Sequence, residues 1–146
     1  MLEITRTGGN ATITLTNGRV NALRHDVIDR LNDAFDEVER DGDVSSVVLT
    51  GAGPFFSFGF DVPHFLGVTR NEFTAFLVAF NAFYTRLFLF PKPLVAAING
   101  HAVAGGWMLA QPCDARVIAK GNVKLGLNEV RFGAALSRAS PASPGP

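Results

Sequence analysis

Lys92 to Asp114 reads KPLVAAINGHAVAGGWMLAQPCD, and the order of signals within it decides the fold. Val95-Ala96-Ala97-Ile98 is apolar at four consecutive positions, as expected of a strand covered on both faces. Asn99-Gly100 marks a turn. Ala104-Gly105-Gly106 lets the backbone approach a ligand without intervening side chains. A helix starting just after Gly105 would leave unpaired N–H groups facing that space, suited to developing negative charge. The same residues also suit a tight strand-to-helix turn whose glycines serve packing only.

A second stretch repeats the form. Ser46 to Leu49 (SVVL) is another short apolar strand, followed by TGAGPFFSFGFDV with Gly51, Gly53 and Gly59. Asp61 then stands where a helix could open, with Pro63 in its first turn. Two strands ending in such turns can aim two backbone N–H groups at one point. That pair is an oxyanion hole, which stabilises a thioester enolate or a tetrahedral intermediate. Neither turn has the glycine spacing of a nucleotide site, which disfavours phosphoryl transfer.

Outward from these stretches, strands and helices alternate in a layered α/β order. Leu2–Thr5 and Ala11–Leu15 suggest a hairpin around Gly8-Gly9-Asn10. Asp26 to Arg40 predicts a helix burying Val27, Leu31, Ala34, Phe35 and Val38. Asn71 is the expected N-cap of a long helix through Leu89, stopped by Pro91 and Pro93. Ala115–Ala119 and Val123–Leu125 read as later strands. The apolar stretch from Phe73 to Phe90 is broken by Asn81, Thr85 and Arg86, so it is not read as membrane-spanning.

Composition narrows the function class. The chain has 146 residues, enough for one domain, and 13 of them are phenylalanine. Net charge is zero and mean hydropathy +0.21, leaving no electrostatic case for nucleic acid or an anionic membrane. A single cysteine, Cys113, suits a reducing compartment, and no base stands beside it to make it reactive. The spacing of His, Cys, Asp and Glu predicts no metal. His25 and His64 fall near helix starts and are expected to be exposed. His101 lies within the glycine-rich turn, where it reads as structural or pocket-lining.

Four blocks in order, Val20-Asn21-Ala22-Leu23, VVLTGAGPFFSFGFDV, KPLVAAINGHAVAGG and LGLNEVRFGA, resemble the crotonase superfamily of enoyl-CoA hydratases and isomerases. The resemblance implies an α/β spiral of ββα units forming two roughly perpendicular sheets. It implies oxyanion donors at the backbone N–H groups of Phe60 and Gly105, and a first loop that wraps coenzyme A around Phe58 to Phe60. Gly59, Asp61, Gly106, Trp107 and Met108 are the further substrate-contacting positions it suggests. Hydratases of the group use two glutamates, and the first of those positions holds Met108, whose thioether can neither orient nor deprotonate water. The second holds Glu129. One carboxylate suffices to move a double bond, so the pattern is closest to 3-enoyl-CoA to 2-enoyl-CoA isomerases.

The resemblance covers residues 1–136 as an incomplete crotonase-like core, and 137–146 (LSRASPASPGP from Leu136) is expected to be a disordered tail. The family's C-terminal helices, which cover the acyl pocket and build trimers or hexamers, are expected to be missing. The implied substrate is an acyl-CoA thioester in the cytoplasm, with no cofactor beyond the substrate's own coenzyme A. Alternatives are hydration or another acyl-CoA reaction on the same scaffold, or acyl-CoA binding without turnover.

Overall fold

Two parallel ladders carry the glycine turns, and the computed structural model describes them within residues 2–127. The expectations for Glu129, for the remainder of 128–136 and for the 137–146 tail lie outside the described residues.

The hairpin of β1 (Leu2–Thr7) and β2 (Asn10–Leu15) starts a five-stranded sheet. Strands β3 (Ser46–Gly51), β5 (Leu94–Ile98) and β7 (Ala115–Ile118) follow in parallel, giving the order β1-β2-β3-β5-β7. Register places Ala11, Val47 and Leu94 side by side, and Ile13, Leu49 and Ala96 in the next row. All six are buried, so one face of the sheet forms a continuous apolar layer. The expectation of a strand covered on both faces at 95–98 is corrected here. Only the alternate residues Leu94, Ala96 and Ile98 are fully buried, because the opposite face is partly open. Strand β7 is exposed at all four positions, as an edge strand with no neighbour beyond it among the described residues.

Helix α1 (His25–Arg40) packs Val27, Ile28, Leu31, Ala34, Phe35 and Val38 inward, the 3.6-residue stripe expected from the sequence. Each large apolar side chain there is worth about 1.5–3 kcal/mol relative to exposure. Lys92 closes the far end of α1, its Nζ donating to the carbonyls of Val38 (2.6 Å) and Asp41 (2.8 Å). Helix α3 (Arg70–Phe88) buries Phe76, Phe80, Phe83, Tyr84 and Leu87, and Phe83 meets Phe35 of α1 edge-to-face at 5.5 Å. Arg86 ties the same two helices, donating to Asp36 at 2.6 Å and Glu39 at 2.9 Å.

The expected Asn71 cap is wrong by two residues. Thr69 caps α3, accepting the Glu72 N–H at 3.2 Å while the Glu72 carboxylate accepts the Thr69 N–H at 2.7 Å. This reciprocal capping box satisfies two orphan donors, which Asn71 could not do from inside the first turn. Asp61 behaves as expected: it caps the short α2 (Val62–Phe65), accepting the His64 N–H at 3.2 Å, with a proline in the first turn.

The second sheet that the resemblance implies is present, but two of its strands are not legible in the sequence. Strands β4 (Phe55–Ser57), β6 (His101–Val103) and β8 (Leu125–Gly126) pair in parallel in the order β4-β6-β8. With three, three and two residues, they are too short for a period-2 pattern to register. Residues 55–57 and 101–103 therefore read as loop. The expected strand at Val123–Leu125 shifts to Leu125–Gly126, because the Val123 N–H turns back onto Gly121 O (3.0 Å) before the chain reaches β6. Helix α4 (Gly105–Ala110) begins at Gly105 itself.

Candidate active site

The two glycine loops meet at Gly59 and Gly105. A Cβ on Gly59 (φ +94°) would lie 3.0 Å from the Gly105 nitrogen, so no side chain fits between the loops. Gly106 is tighter still: a Cβ there would fall 2.1 Å from the Ser57 carbonyl oxygen. The glycines read as ligand-facing are therefore also the contact surface between loops. The packing alternative holds at both positions.

The direction of the Phe60 amide follows from its neighbours. Leu23 bridges to Phe60 in parallel, with Leu23 N–H donating to Gly59 O (2.8 Å) and Asp61 N–H donating to Leu23 O (3.0 Å). In extended backbone successive N–H groups alternate in direction. The Phe60 N–H thus points away from Leu23. The Gly105 N–H belongs to the first residue of α4 and has no acceptor within the helix. Neither amide takes an acceptor among the described residues.

Ala104 aims the second amide. Its backbone (φ +51°, ψ −128°) has the shape of the first central residue of a type II′ turn, which normally demands glycine. A non-glycine residue there stores on the order of 1–3 kcal/mol of strain. Two bonds hold it: Ala104 N–H donates to Gly126 O at 2.9 Å, and Ala104 O accepts the Met108 N–H at 3.1 Å.

The first loop is held by polar side chains whose role the sequence did not reveal. Asn21 is fully buried with φ +48°; its Nδ2 donates to Ala52 O (3.1 Å) and Phe55 O (2.9 Å), and its Oδ1 accepts the Asn17 N–H (3.0 Å). Asn99 grips the same loop from the other side, accepting the Gly51 N–H at 2.9 Å and donating to Gly53 O at 2.9 Å. Ser57, also fully buried, donates to Asn21 O (2.8 Å) and accepts the Gly59 N–H (3.1 Å). The one available signal was a polar asparagine inside the apolar run Val20-Asn21-Ala22-Leu23.

The other expected positions have these surroundings. Phe58 is half exposed, stacked edge-to-face on Phe55. Asp61 is committed as the α2 cap and lies 3.9 Å from the Arg24 guanidinium. Trp107 is partly buried against the core, and Met108 is 2% exposed. Phe60 packs its ring on Gly105, Phe76 and Phe80, and also lines an apolar cleft of about 340 Å3 with Val62, Phe65, Leu66 and Phe73. A wider depression on α1 is lined by Asp33, Asp36, Glu37 and Asp41 beside Arg40, and Arg6, Arg40 and Arg86 pair with three of those carboxylates.

Cys113 is buried with its Sγ 3.5 Å from the Leu109 carbonyl, and burial pushes its thiol up to about 12. Burial of this kind disfavours the thiolate, the reactive form. His25 and His64 are exposed, and His101 is half-buried. Among the described residues no cluster of His, Cys, Asp and Glu could hold a metal ion, and no helix is long and apolar enough to cross a membrane.

A mixed five-stranded sheet, a short three-stranded sheet and two converging glycine loops define the crotonase-like α/β class. The pattern for "Enoyl-CoA hydratase/isomerase" matches residues 5–138, and the chain belongs to that family. It is 37% identical over 124 residues to a probable enoyl-CoA hydratase of Bacillus subtilis, covering 84% of this chain and 48% of that protein. It is 36% identical over 128 residues to the short-chain-enoyl-CoA hydratase of Clostridium acetobutylicum, covering 86% and 49%. Among solved structures, human mitochondrial delta3-delta2-enoyl-CoA isomerase superposes with a TM-score of 0.86 at 29% identity, covering 91% of this chain and 53% of that one. The chain thus spans about half the length of the curated relatives it matches.

Proposed function

We propose that this protein processes acyl-CoA thioesters, and that its reaction moves a double bond from the 3- to the 2-position. The observation that carries the reading is the pair of amides at Phe60 and Gly105 that take no acceptor among the described residues, one turn before the buried, apolar Met108 in the case of Gly105. The amides would hold the thioester oxygen, acidifying the adjacent C2. Glu129 would take the C2 proton, the electron pair would spread over C2 to C4 and the oxygen, and the same carboxyl would return the proton at C4. No step needs an activated water, and the reaction needs no cofactor beyond the coenzyme A of the substrate. The cleft beside Phe60 would take the apolar acyl chain.

Losing one oxyanion donor costs roughly 10²–10³ in rate, and losing a positioned base about 10²–10⁴. The test is conversion of a 3-enoyl-CoA to the conjugated 2-enoyl thioester, followed by the rise in absorbance, with Glu129→Gln abolishing it. Efficient hydration of a 2-enoyl-CoA would instead favour the second reading, which the hydratase names of the Bacillus and Clostridium relatives support. Acyl-CoA binding unchanged by Glu129→Gln and without turnover would make the chain a binder. A cytoplasmic setting and a trimeric or hexameric assembly belong to the same proposal, the latter tested on a sizing column.

A further inference from the structure

We propose that His101 is a positioning residue for the Gly105 amide, acting through strand β8. The imidazole Nδ1 accepts the backbone N–H of Lys124 at 2.9 Å. An acceptor at Nδ1 requires the neutral ring carrying its proton on Nε2. The ring is steadied from the other side by Phe55, 5.0 Å between centroids, and the His101 N–H donates to Pro54 O at 3.3 Å. His101 thereby joins the first glycine loop to β8 across β6.

What β8 does next gives the contact its consequence. The strand has only two residues and pairs with β6 at Ala102 and Val103. Its Gly126 carbonyl accepts the Ala104 N–H, one of the two bonds that keep Ala104 in its strained positive-φ shape. That shape aims the Gly105 N–H. A path of direct contacts therefore runs from Nδ1 through Lys124 and Gly126 to Ala104 and the donor. His101 touches neither the reacting atoms nor the proton in this account.

The inference rests on the proposed oxyanion role of Gly105, and the experiment separates the two. Imidazole nitrogen spectra of the wild-type protein should show the Nε2–H tautomer at His101; the opposite tautomer overturns the proposal without any variant. In His101→Leu, amide exchange should quicken roughly tenfold at Lys124, the loss expected when a donor gives up its partner, and by a smaller factor at Ala104, whose bond to Gly126 O is loosened rather than removed. His101→Asn, whose Oδ1 can accept in place of Nδ1, should restore it. Unchanged exchange at either amide in the leucine variant overturns the proposal.

With a bound 13C-carbonyl acyl-CoA, the thioester stretch should fall on binding to wild type, fall less in His101→Leu and recover in His101→Asn. An equal fall in wild type and His101→Leu shows that the latch does not reach Gly105, which also overturns the inference. If wild type binds no acyl-CoA, the proposed function fails, and the Ala104 exchange decides the positioning role by itself.

Discussion

The two glycine loops reach the same junction by different physics. The loop from Gly51 to Asp61 is held by polar side chains from outside, with Asn21 and Asn99 both donating to Phe55 O. The loop from Asn99 to Gly106 is set against its neighbour by shape, since Gly100 and Gly106 fit against the Pro54 and Ser57 carbonyls, while backbone bonds hold Ala104 in its positive φ. A loop gripped by hydrogen bonds loses register when a partner is removed. A loop set by steric fit fails when an atom is added.

Gly106→Ala attacks the steric loop and should have the largest effect. Its methyl would sit 2.1 Å from the Ser57 oxygen, a backbone atom that cannot swing aside. The two loops must part, at a cost of about 3 kcal/mol or more by the scale of overpacking, read by chemical denaturation.

Asn21→Ala attacks the gripped loop. It removes the Nδ2 bonds to Ala52 O and Phe55 O and the Oδ1 bond to the Asn17 N–H from a fully buried side chain, and at about 0.5–1.5 kcal/mol per bond the cost is about 2–4 kcal/mol. Asn21→Asp should be no better. Its carboxylate would face the two carbonyls that Nδ2 now serves, so the midpoint should fall as pH rises through the carboxyl's titration.

Arg86→Ala lies away from both loops and serves as the control. The side chain is only 23% exposed and also donates to Asn32 O and Oδ1, but its carboxylate partners are more exposed, so losing these bonds should cost about 2 kcal/mol, partly screened at high salt, and leave acyl-CoA affinity unchanged. Ala104→Gly should have the smallest effect and the opposite sign. It relieves strain but frees the unfolded chain, for a net gain of about 0–1 kcal/mol. A clear loss would mean the Ala104 methyl itself supports the junction.

Legibility differed between these regions for physical reasons. The stripe Val27, Leu31, Ala34, Phe35, Val38 declared α1 because helical burial repeats every 3.6 residues and needs no distant partner. The Gly59 and Gly105 positions were visible as punctuation, and their family pattern pointed to the Phe60 and Gly105 amides. The Asn21 grip was invisible, since its partners Ala52 and Phe55 lie 31 and 34 residues away. The α3 start went astray at Asn71 because a single cap residue was weighed without the Thr69–Glu72 pair.

Sequence alone settled the strands of the five-stranded sheet, the two long helices and the two glycine turns that follow apolar strands, and the family resemblance set Met108 where the hydratases carry a glutamate. Tertiary structure decided what the glycines are for. Whether a missing Cβ serves a ligand or a neighbouring carbonyl depends on what lies within 3 Å across the fold, and chain order does not encode that distance. The His101–Lys124 bond was equally beyond the sequence, because it exists only once β6 and β8 lie side by side.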